Sequence, residues 1–213
     1  MKHFAAVTFF VCSVCVPAAL AQKWEVGAGV GGSFYTSQTF SNAVTRADAG
    51  LSNAIAVSAW LGNNPGRLLG GELRYDYENS GLKLSSSGGD AKFSGHTNAF
   101  HYDFVLNMAN GEARVRPFLS AGGGVKLFTG TGRESSVQPL SNIGFLTRTT
   151  ETVGLISLGG GMKFNLTRAA QLRLEVHDNL TPFPESVIAP AAGTKVSGWL
   201  QDFVVMAGIS FVF

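Results

Sequence analysis

A histidine and a carboxylate lie close enough in the sequence to act together. His101 and Asp103 are two residues apart, so both side chains lie on the same face if the segment is a β-strand. Such a pair could hold a metal ion or transfer a proton. A hydrogen bond between the two side chains is the simpler interpretation. We therefore predict a structural pair and neither a metal site nor a catalytic site.

A second histidine follows two other ionisable residues at the same spacing. Arg173, Glu175 and His177 alternate with apolar residues, which puts the three side chains on one face of a strand. A polar interior that contains all three side chains accounts for their presence without a catalytic role. We predict no catalytic residue, no metal ligand and no cofactor, and we expect that the chain is not an enzyme.

The elements that must position these residues are β-strands. From residue 23 onward the recurring pattern is an alternation of apolar and polar residues, and no segment has the 3.6-residue period of a helix. Trp60 leaves the phase of the second strand ambiguous, and Pro182 and Pro184 could end the seventh early. Eight strands are predicted, near residues 24–30, 52–61, 68–77, 100–107, 115–128, 152–164, 172–177 and 199–213.

The connections between these strands are alternately long and short. Long polar segments follow the first, third, fifth and seventh strands, so all of them lie at one end of an up-and-down antiparallel sheet. Short turns at one end and long loops at the other are typical of outer-membrane barrels. For the Ser- and Gly-rich connection 78–95 we predict flexible surface and no binding site.

The two faces of the strands differ in composition. Charged residues are only 14% of the chain, against a usual share of about 25%, and the net charge of +2 with no basic run argues against nucleic acid as a partner. We predict an all-β, eight-stranded transmembrane barrel, with the apolar face towards lipid and a narrow lumen closed by paired charges. A lipocalin-like soluble barrel with the charged face outward is the alternative. The predicted lumenal network is Glu72, Arg74, Asp76, His101, Asp103, Lys126, Lys163, Arg173, Glu175, His177 and Asp202, with Glu25 on the same face.

The N-terminal segment has the layout of a secretory signal peptide. Lys2 precedes an apolar stretch, which a proline ends before the small-residue site Ala19-Leu20-Ala21. A transmembrane anchor is the alternative, but the apolar stretch is shorter than the roughly 20 residues that a spanning helix needs. We predict a signal peptide over 1–21, which contains both cysteines, and a barrel domain over 22–213.

The last strand carries a possible assembly signal. Gly208, Phe211 and the terminal Phe213 follow one another at strand spacing, and both phenylalanines lie on the apolar face. This pattern resembles the terminal strand that the bacterial barrel-assembly machinery recognises, and the chain as a whole resembles the small eight-stranded barrels similar to outer membrane protein A. The tract 173–184 also looks like a group of uncharacterised outer-membrane barrels, which implies a location and no activity.

The resemblance leaves three functions open. A structural or surface-interaction role through four external loops is the main prediction. A narrow pore for small solutes is one alternative, and a lipid-modifying enzyme is the other. Lipid A deacylase barrels use a His and a Ser two residues apart, whereas Asn179 stands two residues after His177. The expected partners are outer-membrane lipid and the assembly machinery, and the expected state is a monomer in the bacterial outer membrane.

Overall fold

The computed structural model describes residues 24–41, 46–64, 68–134, 138–196 and 198–213. The predicted signal peptide and both cysteines therefore lie outside the described residues. The described chain forms strands joined by turns. It contains no helix that is long and apolar enough to cross a membrane. The strands are β1 Trp24–Tyr35, β2 Gln38–Ser41, β3 Arg46–Leu51, β4 Ala54–Asn63, β5 Leu69–Glu78, β6 Leu82–Ser86, β7 Gly89–Phe93, β8 Gly95–Asn107, β9 Val115–Gly130, β10 Gly144–Leu146, β11 Thr150–Asn165, β12 Ala170–Pro182, β13 Ile188–Pro190 and β14 Trp199–Val212.

Eight long strands close into an antiparallel barrel. The order around it is β1, β14, β12, β11, β9, β8, β5 and β4, and β4 pairs with β1 to complete the circle. The predicted eight-stranded antiparallel barrel is confirmed. Closure pairs the backbone groups of every strand, including those of the first and last, so the barrel itself has no open edge.

The ends of the barrel differ as the alternating connections predict. Short connections join β4 to β5, β8 to β9 and β11 to β12, at the end where β1 begins and β14 ends. Trp24 and Phe213 meet at that end, where each backbone N–H donates to the other residue's carbonyl, at 3.1 and 3.0 Å. The first and last residues of the barrel are therefore held together by the sheet.

The phase of the second barrel strand is settled by a large interior side chain. Trp60 is 3% exposed and lies inside the barrel, whereas Ile55 and Leu61 of the same strand point outward. The ring occupies space that glycine leaves free, because a Cβ atom at Gly27 would lie 2.4 Å from it and one at Gly208 would lie 2.5 Å from it. The Trp60 ring therefore fits inside the barrel because Gly27 and Gly208 have no side chains.

The long connections form an ordered cap, which the sequence analysis did not predict. They contribute a four-stranded sheet in the order β2, β3, β6, β7 and a two-stranded sheet of β10 and β13. The connection 78–95 is not the flexible surface we predicted, since it contains β6, β7 and the beginning of β8. The reason is alternation on a smaller scale: Leu82 and Leu84 are buried while Lys83 between them is exposed.

The cap has a hydrophobic core of its own. This core joins side chains from all four long connections to two residues at the upper ends of barrel strands, Phe128 and Leu200. Burial of these side chains is the driving force that orders the connections. The other buried members are Phe40, Ala47, Ala49, Leu51, Leu82, Leu84, Ala91, Ile143, Leu146, Phe183, Val187 and Ile188.

Candidate functional site

The interior of the barrel is lined by ionisable side chains. Each of the eleven predicted lumenal residues lies on the inner wall and is at most 5% exposed, and the same holds for Glu25. Glu78, which the sequence analysis left at the edge of a polar connection, is also fully buried there. The side chains occupy three levels: a lower level near the termini, a middle level around the histidines and an upper level beneath the cap.

The lower level contains a closed ring of alternating charges. Arg74 contacts Glu72 at 2.9 Å and Glu175 at 2.6 Å. Arg173 also contacts both, with 2.6 Å between its Nε and Glu175 Oε2 and a shorter contact to Glu72. Glu72 and Arg74 belong to β5, whereas Arg173 and Glu175 belong to β12, four positions away around the eight-stranded barrel. The ring therefore joins opposite walls across the lumen.

Two aromatic rings pack against these cations. The Arg173 guanidinium carbon lies 4.9 Å from the centre of the Trp60 ring and 4.5 Å from that of Phe118. The same carbon of Arg74 lies 5.2 Å from Trp60. Aromatic faces attract cations in a site that excludes water. The aromatic side chains thus fill the space beside the charged ring and stabilise its positive members.

A second ion pair completes the lower level. The Lys163 ammonium group lies 2.5 Å from Glu25 Oε2, and Glu25 Oε1 is 3.4 Å from Arg173. Lys163 also lies 5.3 Å from the centre of the Phe118 ring. Because Lys163, Glu25 and Arg173 each contact an opposite charge, the cost of burying these three groups is offset by direct contacts.

The middle level brings the predicted histidine pair together. His101 Nδ1 lies 2.9 Å from Asp103 and its Nε2 lies 3.0 Å from Asp76. Ser58 donates a further hydrogen bond to Asp76. With both ring nitrogens facing carboxylates, His101 can donate at both only when both are protonated. Within the described ranges, no group of three His, Cys, Asp or Glu residues is placed to hold a metal ion.

His177 has a serine neighbour that the sequence analysis missed. Ser157 Oγ lies 3.4 Å from His177 Nδ1, and His177 Nε2 lies 3.4 Å from Glu175. The serine comes from β11 and not from the position two residues along β12, so only the strand register reveals it. Ser157 is fully buried. The residue types are those of a nucleophile and its base, and both side chains are buried inside the barrel.

The upper level holds a lysine between two carboxylates. Lys126 Nζ lies 3.0 Å from Glu78 and 2.5 Å from Asp202, and its side chain is fully buried. Tyr35 donates to Glu78, and the ammonium group lies 4.9 Å from the centre of the Tyr35 ring. Phe128, two residues beyond Lys126, belongs to the cap core. The cap core therefore begins directly above the charged lumen.

Of the predicted assembly residues, Gly208 and Phe211 lie on opposite faces of β14, and Phe213 directly follows this strand. Phe211 and Phe213 are each 57% exposed on the outer wall. Gly208 faces inward, where a Cβ atom would come within 2.5 Å of both the Ala28 carbonyl oxygen and the Trp60 ring. Packing inside the barrel therefore requires glycine at position 208, whether or not this residue is part of an assembly signal.

The outer wall of the barrel is apolar. Large side chains alternate outward along the barrel strands, and Trp24, Tyr77 and Trp199 are exposed near strand ends, where aromatic belts of membrane proteins lie. A water-soluble barrel has the opposite polarity, so the lipocalin-like alternative does not fit. Exposed members include Val30, Ile55, Leu73, Phe104, Leu119, Leu158, Leu174, Val176, Val205 and Ile209.

Comparison with known proteins supports this fold. No family model and no curated protein matches the sequence. The structure is similar to that of Neisserial surface protein A, with a TM-score of 0.56 and 10% identity over 89% of this chain and 97% of that one. It is also similar to the outer membrane protein OprG from Pseudomonas aeruginosa, with a TM-score of 0.56 and 13% identity over 91% and 97%.

The same fold also occurs in an enzyme. The outer membrane protease OmpT from Escherichia coli matches with a TM-score of 0.52 and 10% identity, over 90% of this chain and 97% of that one. Similarity at such low identity shows a shared fold and no shared activity. The fold is that of the bacterial outer-membrane β-barrels. Its closed sheet and apolar outer wall are those of a protein that spans the outer membrane.

Proposed function

We propose that the chain is a closed, non-conducting and non-catalytic barrel that supports the outer membrane and presents its cap for contacts at the cell surface. In this proposal residues 1–21 direct export, and the folded chain is a monomer surrounded by outer-membrane lipid. The observation that carries the proposal is the charged ring of Glu72, Arg74, Arg173 and Glu175, which crosses the lumen between opposite walls.

The ring obstructs the lumen for physical reasons. Each guanidinium contacts two carboxylates, so a passing solute would have to separate several buried ion pairs at once. Breaking one buried pair leaves an uncompensated charge and costs about 3–5 kcal/mol. Eight strands also give an interior just wide enough for side chains. The upper level and the cap core provide two further barriers above the ring.

The cap supports the contact role. The described parts of its connections pack on a shared hydrophobic core, so their outer residues form a preformed surface. Binding to a preformed surface avoids the entropy cost of ordering loops. A preformed surface at the exposed end therefore favours a contact role.

Conductance through planar lipid bilayers tests the proposal. We expect current at the leak level of protein-free bilayers, since the three charged levels and the cap obstruct the lumen. The variant Arg74→Ser/Arg173→Ser, which removes both cations of the ring, should raise the frequency of openings if it folds. Stable channels of defined conductance in the unmodified protein would contradict the proposal and favour the narrow pore.

A further inference from the structure

A cavity lies at the base of the cap, above the barrel rim. Its volume is about 600 Å³ and it is open to solvent. The wall combines two lysines, Lys83 and Lys92, with the polar residues Ser37, Asn53 and Ser94. Nothing in the charged lumen or in the proposed surface role uses this cavity.

The two lysines are neighbours across paired strands. Lys83 of β6 lies directly opposite Lys92 of β7, and both side chains are exposed. Like charges in directly opposed positions of a sheet destabilise it. Neither ammonium group forms an ion pair or hydrogen bond with any of the described residues, in contrast to the buried lysines of the lumen. An anion in the cavity would remove this repulsion.

The rest of the wall suits a ligand with both polar and apolar parts. Ser37, Asn53 and Ser94 can donate hydrogen bonds to anionic or hydroxyl oxygens. Tyr35 and Phe93 also line the cavity and add apolar surface beside them. Apolar surface combined with a few convergent polar groups is typical of small-molecule sites.

We infer that this cavity binds a phosphate monoester, with the phosphate between Lys83 and Lys92 and the attached group over the aromatic floor. A phosphomonoester carries about −1.5 to −2 charges at neutral pH, which matches two ammonium groups. Lysine binds phosphate as a point charge and does not require the planar geometry of arginine. The inference goes beyond the proposed function, because neither the closed lumen nor the surface role needs a ligand.

The position of the cavity allows two sources of phosphate. Asn53 lines the cavity, and Ile55 two residues later is 69% exposed on the outer wall. A lipid headgroup at the edge of the apolar wall could therefore reach the cavity from the side. A soluble phosphorylated sugar could enter the same site from the solvent. Both present the same chemical group to the lysines.

Two binding measurements on the full folded protein separate these sources. The first follows ³¹P NMR signals of glucose 6-phosphate added to the protein in detergent micelles. The second measures the affinity for phosphatidic acid in nanodiscs of phosphatidylcholine. Each uses the variant Lys83→Gln/Lys92→Gln, and the control Arg133→Gln/Lys195→Gln removes two exposed charges of the cap that do not line the cavity.

We expect the cavity variant to bind about tenfold more weakly or worse, and the control variant to bind like the unmodified protein. The variant Lys83→Arg/Lys92→Arg should retain most of the affinity. If the cavity variant loses affinity for glucose 6-phosphate, the ligand is a soluble molecule. If it loses affinity for phosphatidic acid alone, the ligand is a lipid headgroup. Equal affinity in all variants, or no saturable binding of either probe by the unmodified protein, would overturn the inference. The measurement in detergent micelles does not require that the protein lie in the outer membrane, so it tests the cavity separately from the proposed function.

Discussion

At the scale of residues, contacts between buried opposite charges hold the barrel interior together. Arg173 contacts Glu72, Glu175 and Glu25, and it also packs between the Trp60 and Phe118 rings. No other side chain of the described lumen has this many charged and aromatic contacts. The stability of the ring should therefore depend on this guanidinium more than on any surface charge.

The substitution Arg173→Met should lower the free energy of unfolding by about 3–5 kcal/mol, because it leaves buried carboxylates unpaired. Urea unfolding in lipid vesicles, followed by tryptophan fluorescence, measures the change. The control Lys195→Met, at an exposed position of the cap, should stay within about 0.5 kcal/mol. The double variant Arg173→Met/Glu72→Gln should lose less than the sum of its single changes. A loss for Arg173→Met no larger than that of the control would show that the ring contributes nothing.

At the scale of elements, the last strand both closes the barrel and carries the proposed assembly signal. β14 pairs with β1 and β12, so closure depends on its backbone. The Phe213 backbone contributes to that pairing through its hydrogen bonds with Trp24, whereas the Phe213 side chain is exposed on the outer surface. A substitution that keeps the backbone can therefore separate a signal in the side chain from the closure itself.

We expect Phe213→Ala to slow insertion by the assembly machinery while leaving the stability of the folded barrel almost unchanged. The rate at which the folded form accumulates in proteoliposomes that contain the machinery measures the effect. Phe104→Ala is the matched control, because Phe104 is also exposed on the outer wall, at 68%. If both variants assemble at the same rate, the terminal phenylalanine is not a signal.

At the scale of the whole molecule, three layers follow one another along the barrel axis. A charged lumen lies inside an apolar wall, and a cap with a hydrophobic core lies over one end. The wall needs lipid around it, since exposed apolar surface of this extent is not stable in water. The cap buries its apolar side chains in a core and exposes polar ones, so it needs water at its surface. The molecule therefore fits only at a boundary between a bilayer and an aqueous phase.

Fractionation of cells that express the full chain checks this arrangement. We expect the protein in the outer-membrane fraction, and we expect its electrophoretic migration to change after heating, because a closed barrel unfolds only when all eight strands separate. A known soluble periplasmic protein serves as the control for fractionation. Recovery in the soluble periplasm, with no change of migration on heating, would contradict the location.

The sequence by itself determined the eight barrel strands and, at most positions, the face on which each residue lies. The phase around Trp60 and the burial of Glu78 came only from the structure. The two-residue period of a strand is a local property, so side chains such as Glu175 and Leu174 can be assigned to opposite faces without a structure. The terminal pattern of Phe211 and Phe213 is equally local.

Only the tertiary structure decided which of these residues meet. The contact of Arg173 with Glu72 joins strands on opposite walls, and the contact of His177 with Ser157 depends on the register of β11 and β12. The cap was missed because its strands are only three to six residues long and bury their apolar faces against one another. Such short alternations become stable only when distant connections pack together, and a single sequence does not contain that distance information.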